Sequence, residues 1–143
     1  MLERAAIGIM KITSWLKKKD SHDEEWDDDP DLPEMEEIKS IEAIKAEVSC
    51  KAIDTIARKH ITDAGYGKYF DHGLGHSLGL EIHEDPRFSK VSTDYLKSNY
   101  VMTVEPGIYI EDIGGVRIED DIVVTDDGCI VLNKTSKDFI VIS

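Results

Sequence analysis

Eleven of the chain's thirty acidic residues crowd into residues 20–37, "DSHDEEWDDDPDLPEMEE", a stretch without a single lysine or arginine. A block of like charge interrupted by prolines repels itself and buries too little apolar surface to offset the entropy of ordering. It therefore confines folding to the residues beyond it. An acidic linker is expected over residues 20–36 and a folded domain over residues 37–143, long enough for one hydrophobic core. The net charge of −13 belongs to the linker, because outside residues 20–37 nineteen acids face seventeen bases.

That balance sets partners aside. Binding to a phosphate backbone needs clustered Lys and Arg, so no nucleic-acid partner is expected. No apolar run approaches the ~18–20 residues of a membrane span, so no membrane partner is expected either. The start, "MLERAAIGIMKITSWLKKK", carries Leu2, Ala5, Ile9, Ile12 and Leu16 at helical spacing, which predicts an amphipathic helix over residues 1–19. Its early Glu3 and lack of a small-residue cleavage site do not suit a secretory signal. Cys50 and Cys129 match no metal or redox spacing, and reduced thiols point to a cytoplasmic setting.

Beyond the linker, "EEIKSIEAIKAEVSCKAIDTIARKHITDAG" reads as two helical segments or one long one. Ser49 is a candidate N-cap, Ala52, Ile53, Ile56, Ala57 and Ile61 form an apolar stripe, and Gly65 is a stop. Strand signals come next. "YVMTVEPGIYI" (100–110) is broken at Pro106-Gly107, and "VRIEDDIVVTDDGCIVLN" (116–133) predicts a hairpin turning at Asp127-Gly128. Helices followed by mostly antiparallel strands define an α+β class.

"HGLGHSLGLEIHEDP" (72–86) holds three of the five histidines, His72, His76 and His83, among Gly73, Gly75 and Gly79. Glycines in a strand mark a bend or a close approach of backbone. A straight strand would set His76 and His83 on opposite faces, so both reach one cavity only if the chain bulges, which Gly79 permits. Downstream, Glu105 alternates with Val104, while Arg117, Glu119 and Asp121 are expected on one face. One imidazole and two carboxylates, His76, Glu105 and Glu119, suit a divalent cation, although an exposed antiparallel strand also alternates in this way.

In this order, "HGLGHSLGLEIHE", "VEPGIYI" and "RIEDDIVVT" resemble the catalytic part of the pita-bread metallopeptidases, and "RIEDD" is most similar to the Xaa-Pro branch of aminopeptidase P and prolidase. The resemblance covers about residues 37–143. It implies a pita-bread fold, with helices packed on a largely antiparallel sheet, and hydrolysis of the N-terminal peptide bond before a proline. It also implies a dinuclear divalent-metal centre, with Mn or Co preferred and Zn compatible. His76, Glu105 and Glu119 match metal ligands, Glu105 doubling as proton shuttle. His72 and His83 match substrate-contacting histidines, and Arg117 an arginine that positions substrate or ligands.

The resemblance further implies two aspartate ligands in a "D-x-G…D-x-T-R" stretch, which this chain lacks. Asp27, Asp28 and Asp29 are adjacent linker residues and poor substitutes for ligands held on two strands. The expectation is a truncated domain with an incomplete metal site, impaired activity and an open sheet edge, which a homodimer or a complementing chain would cover. The alternative is a non-catalytic peptide- or protein-binding module of the same fold, its acidic run suited to a basic partner. A second departure lies in "IEAIKAEVS". Relatives generally place glycine before the helix-starting "V-S/T", and Glu47 stands there in this chain, a substitution that is strained if the position needs positive φ.

Overall fold

The stripe read from residues 49–63 winds into helix α2, Cys50–Asp63, with Ser49 at its N-cap. It buries Cys50, Ile53, Ala57 and Ile61, whereas Ala52 is exposed and Ile56 half-buried. Fourteen residues are marginal as an isolated helix in water, so this face must be held by packing. Helix α1, Lys39–Glu42, is a single turn separated from α2 by a non-helical link. The segment is thus two helices, and the break contains Glu47 at φ 66°. Gly65, at φ 89°, ends α2 as expected. The computed structural model describes residues 39–135, so the expected N-terminal helix and acidic linker lie outside the described residues.

After a 3₁₀ turn at Gly67–Tyr69 the described residues form seven short strands: β1 Gly75–Ser77, β2 Glu84–Phe88, β3 Val101–Val104, β4 Gly107–Ile110, β5 Gly114–Arg117, β6 Asp120–Val124 and β7 Cys129–Val131. Five form an antiparallel sheet in the order β2-β1-β3-β6-β7, and β4 and β5 form a separate ribbon. Pro106 lacks the N–H needed to continue the ladder, so the 100–110 run divides into β3 and β4 as its sequence indicates.

The 116–133 run departs from its reading. Val116 and Arg117 belong to β5 and pair with β4, while the hairpin at Asp127-Gly128 starts only at Asp120. Ile118 donates its N–H to the Pro106 carbonyl (3.3 Å), where the chain passes from ribbon to sheet. Arg117 and Glu119 therefore do not lie on one continuous strand. Alternation resumes in β6, whose buried face carries Asp120, Ile122 and Val124.

One core joins these parts. Ile44, Ile53, Phe70, Leu74, Phe88, Met102 and Ile122 are all buried to 1% exposure or less. Each large apolar side chain so buried contributes about 1.5–3 kcal/mol of transfer free energy. Among the described residues β2 and β7 are the sheet's edges, and Leu80, Ile82, Ile130 and Leu132 are exposed. Cys50 is buried and Cys129 half-buried, both as free thiols.

Candidate metal-binding and catalytic site

The glycines of residues 72–79 let the histidines converge. A Cβ at Gly75 would lie 1.9 Å from the Thr103 carbonyl oxygen, so β1 can approach β3 only without a side chain there. Pairing of β1 with β2 shifts register between His76 and Ser77, and the chain then loops out before β2. A Cβ at Gly79 would strike the Glu84 carboxylate (2.3 Å), which caps this loop by accepting the Glu81 N–H at 2.9 Å. The bulge and loop bring the His76 and His83 rings to 4.4 Å between centroids. The bend that two histidines seven positions apart require is present.

Glu105 lies at the centre of the cluster, 8% exposed, just beyond β3. Its N–H donates to the Leu74 carbonyl (2.7 Å), tying it to the histidine segment. Its Oε1 is 3.2 Å from His76 Nε2 and accepts from Thr103 Oγ1 (3.0 Å), while its Oε2 is 3.2 Å from Arg117 Nη1. Thr103 also accepts the His76 backbone N–H (3.0 Å). One buried hydroxyl thus orients both a histidine and a glutamate.

The His76 ring reports what the pair can hold. Its Nδ1 lies 3.0 Å from the Ser77 carbonyl oxygen, which only accepts, so Nδ1 carries the hydrogen. In the neutral ring the Nε2 lone pair then faces a carboxylate oxygen, and two such electron-rich atoms need a cation or a proton between them. These donors fit a divalent cation, but as part of a set. Among the described residues no three His, Cys, Asp or Glu side chains converge to hold a metal. Glu119 sits exposed in the link between β5 and β6.

His72 completes the cluster. Its Nδ1 donates to the Gly73 carbonyl (2.7 Å), and its Nε2 lies 3.5 Å from Arg117 Nη2. Its ring packs edge-on against Phe70 and Tyr109, with centroids at 5.0 and 5.8 Å. The Arg117 guanidinium lies over Tyr109 at 5.6 Å. The structure therefore gathers His72, His76, His83, Glu105 and Arg117. Sequence reasoning missed three contributing residues. Thr103 reads as an ordinary β-branched strand residue. Asp54 and Arg58 stand four apart on α2, a spacing that signals an ion pair but not that the pair reaches this site.

Comparisons with known proteins identify the family and the fold. The profile of "Metallopeptidase family M24" matches residues 36–126. An Xaa-Pro dipeptidase of Pyrococcus horikoshii is 50% identical over 99 residues, which make up 69% of this chain and 28% of that protein. The chain thus spans under a third of that relative's length. The solved prolidase of Pyrococcus horikoshii superposes with a TM-score of 0.69 at 48% identity, over 73% of this chain and 30% of that one. An Xaa-Pro dipeptidase of Bacillus anthracis superposes with a TM-score of 0.71 at 46% identity, over 74% of this chain and 30% of that one. These are pita-bread folds, and the described residues form an α+β part of one.

Proposed function

The chain belongs to metallopeptidase family M24, and from that premise we propose that it carries one side of the active centre of an Xaa-Pro peptidase. The observation that supports this most is the pair of half-buried His76 and buried Glu105, its lone pairs opposed at 3.2 Å and its ring orientation fixed through Ser77. His76 and Glu105 would hold divalent metal, Mn²⁺ or Co²⁺ in preference to Zn²⁺, with Glu119 joining them only by movement of the β5–β6 link. The two aspartates that the family resemblance implies are not in this sequence, so the set is completed from outside it. A metal so held supplies Lewis acidity, lowering the pKa of water to near neutrality.

The residues of this chain divide the remaining work. Glu105 takes the proton of the attacking water on its carboxylate and returns it to the departing amine. Thr103 and Arg117, one on each carboxylate oxygen, keep that group from rotating. His72 and His83 bind the peptide carbonyl before proline and stabilise the oxyanion that forms there. Arg117 spans Glu105 and His72, so it sets the distance between proton carrier and substrate contact. With only part of that ligand set, these residues by themselves would make an impaired enzyme.

Mn²⁺ titration followed by electron paramagnetic resonance tests the ligand assignment. The acidic segment at 20–37 attracts cations weakly, so the readout is the difference from His76→Ala. A class of sites present in wild type and lost in both His76→Ala and Glu105→Gln is expected. Identical titrations for all three would overturn the assignment.

A further inference from the structure

We propose that the ion pair of buried Asp54 and half-buried Arg58 on α2 is a positioning pair for the candidate site, acting through the backbone of residues 70–74. This rests on the reading of His72 and Glu105 as functional residues, but its test does not require metal or turnover. Asp54 is fully buried, and Arg58 grips it with two bonds, from Nε to Oδ2 and from Nη2 to Oδ1, both 3.0 Å. Burying a charge pair of this kind brings a desolvation cost that apolar residues of similar volume would avoid, so stability alone is a weak reason for it. Its remaining bonds all go to one place. Arg58 Nη1 donates to the Phe70 carbonyl and Nη2 to the His72 carbonyl, both at 2.7 Å, and Asp54 Oδ1 accepts the Leu74 N–H at 3.1 Å.

Those partners fall at alternate residues, so the backbone of residues 70–74 is held by these two side chains. Other contacts of the segment reach the site. The Leu74 carbonyl accepts the Glu105 N–H, and the His72 ring reaches Arg117 and Tyr109. The Arg58 guanidinium also covers the Phe70 ring at 4.2 Å, and that ring abuts the His72 imidazole. Displacing the pair would let residues 70–74 shift and carry both His72 and Glu105 with them. A lysine at position 58 keeps the charge but lacks the planar fork that reaches the carboxylate and two carbonyls together.

The test is nuclear magnetic resonance on the full chain, comparing wild type, Arg58→Lys and the stability control Val124→Ala. The readout is the nuclear Overhauser contact between the His72 and Tyr109 rings, with side-chain ¹⁵N shifts of His72 and His76. In Arg58→Lys the ring contact is expected to be lost and both histidine signals to move, in a protein that still melts cooperatively. In Val124→Ala both should match wild type. Asp54→Asn, which keeps an acceptor for Leu74 but not the charge, should show the same change in weaker form. An Arg58→Lys protein with the wild-type ring contact and shifts would overturn the proposal. So would failure of both variants to fold, since the pair would then serve global stability and not placement. These spectra are recorded without metal and the Mn²⁺ titration of His76→Ala without reference to Arg58, so the two readings fail separately.

Discussion

Replacing Glu47 with glycine should stabilise this protein. Glu47 sits at φ 66°, in the left-handed region, in the link between α1 and α2. Among the described residues the other non-glycine positions with positive φ are Asn99 and Asp112, types whose short polar side chains tolerate that region, whereas glutamate gains no such help. The conformation is imposed from outside. Ala46 N–H bonds the Thr125 carbonyl (3.0 Å), Glu47 N–H the Leu96 carbonyl (2.9 Å), and Leu96 N–H the Val48 carbonyl (2.9 Å). The Glu47 side chain is exposed, so removing it opens no cavity. Relief of left-handed strain is worth about 1–2 kcal/mol, against about 0.4–1 kcal/mol for the freer unfolded chain that glycine brings. The net is a gain of about 0.5–1 kcal/mol, or roughly 2–8 °C in Tm for a domain of this size. Thermal unfolding followed by circular dichroism, with Glu47→Ala as control, reads it directly. Alanine removes the charge but keeps the Cβ, so it should show no comparable rise. An unchanged or lower Tm for Glu47→Gly, or an equal rise for Glu47→Ala, would mean that backbone strain is not what the glycine relieves.

Further expectations concern the site and the core. Gly75→Ala sets a Cβ against the Thr103 carbonyl and should cost about 3 kcal/mol or more, as overpacking against backbone does; a variant with the wild-type midpoint in urea would contradict that close approach. Thr103→Val removes the hydroxyl shared by His76 N–H and Glu105 and should cost about 1–3 kcal/mol, with Thr103→Ser recovering most of it in the same titration. Burial, with Asp94 adding to it, pushes the Cys50 thiol up from 9.0 to about 11. Above pH 9 the unfolded thiol ionises while the folded one stays neutral, so the unfolded state binds fewer protons and stability falls as pH rises towards 11. Cys50→Ala should flatten that alkaline loss, and an unaltered slope in a pH series of denaturant titrations would count against it.

Features that depend on local chemistry were legible in the sequence. The α2 stripe, the Gly65 stop, the break at Pro106 and the Asp127-Gly128 hairpin arise from spacing and backbone preference, and each is found. The meeting of His76 with His83 was legible because glycine is costly in a strand unless a bend or close approach requires it. The division of 116–133 between two sheets was not. It is decided by a tertiary contact, Ile118 N–H to the Pro106 carbonyl, and residues 116–119 alternate equally well on one strand or across a link. The Asp54–Arg58 clasp was hidden for a related reason. An Asp and an Arg four apart on a helix usually mark a solvated face, and nothing local shows that residues 70–74 pack against them. The two aspartates that the family resemblance implies have no counterpart in this sequence, so a reading of these residues alone leaves the ligand set open.

Hydrolysis of an Xaa-Pro dipeptide by the purified chain in Mn²⁺ or Co²⁺, with His76→Ala and Glu105→Gln prepared and assayed alongside, is the decisive experiment for a peptidase centre built on His76 and Glu105. Slow, metal-dependent release of proline is expected from the wild-type chain and none above background from either variant. Equal rates in all three, or no metal-dependent release by any of them, would contradict that reading.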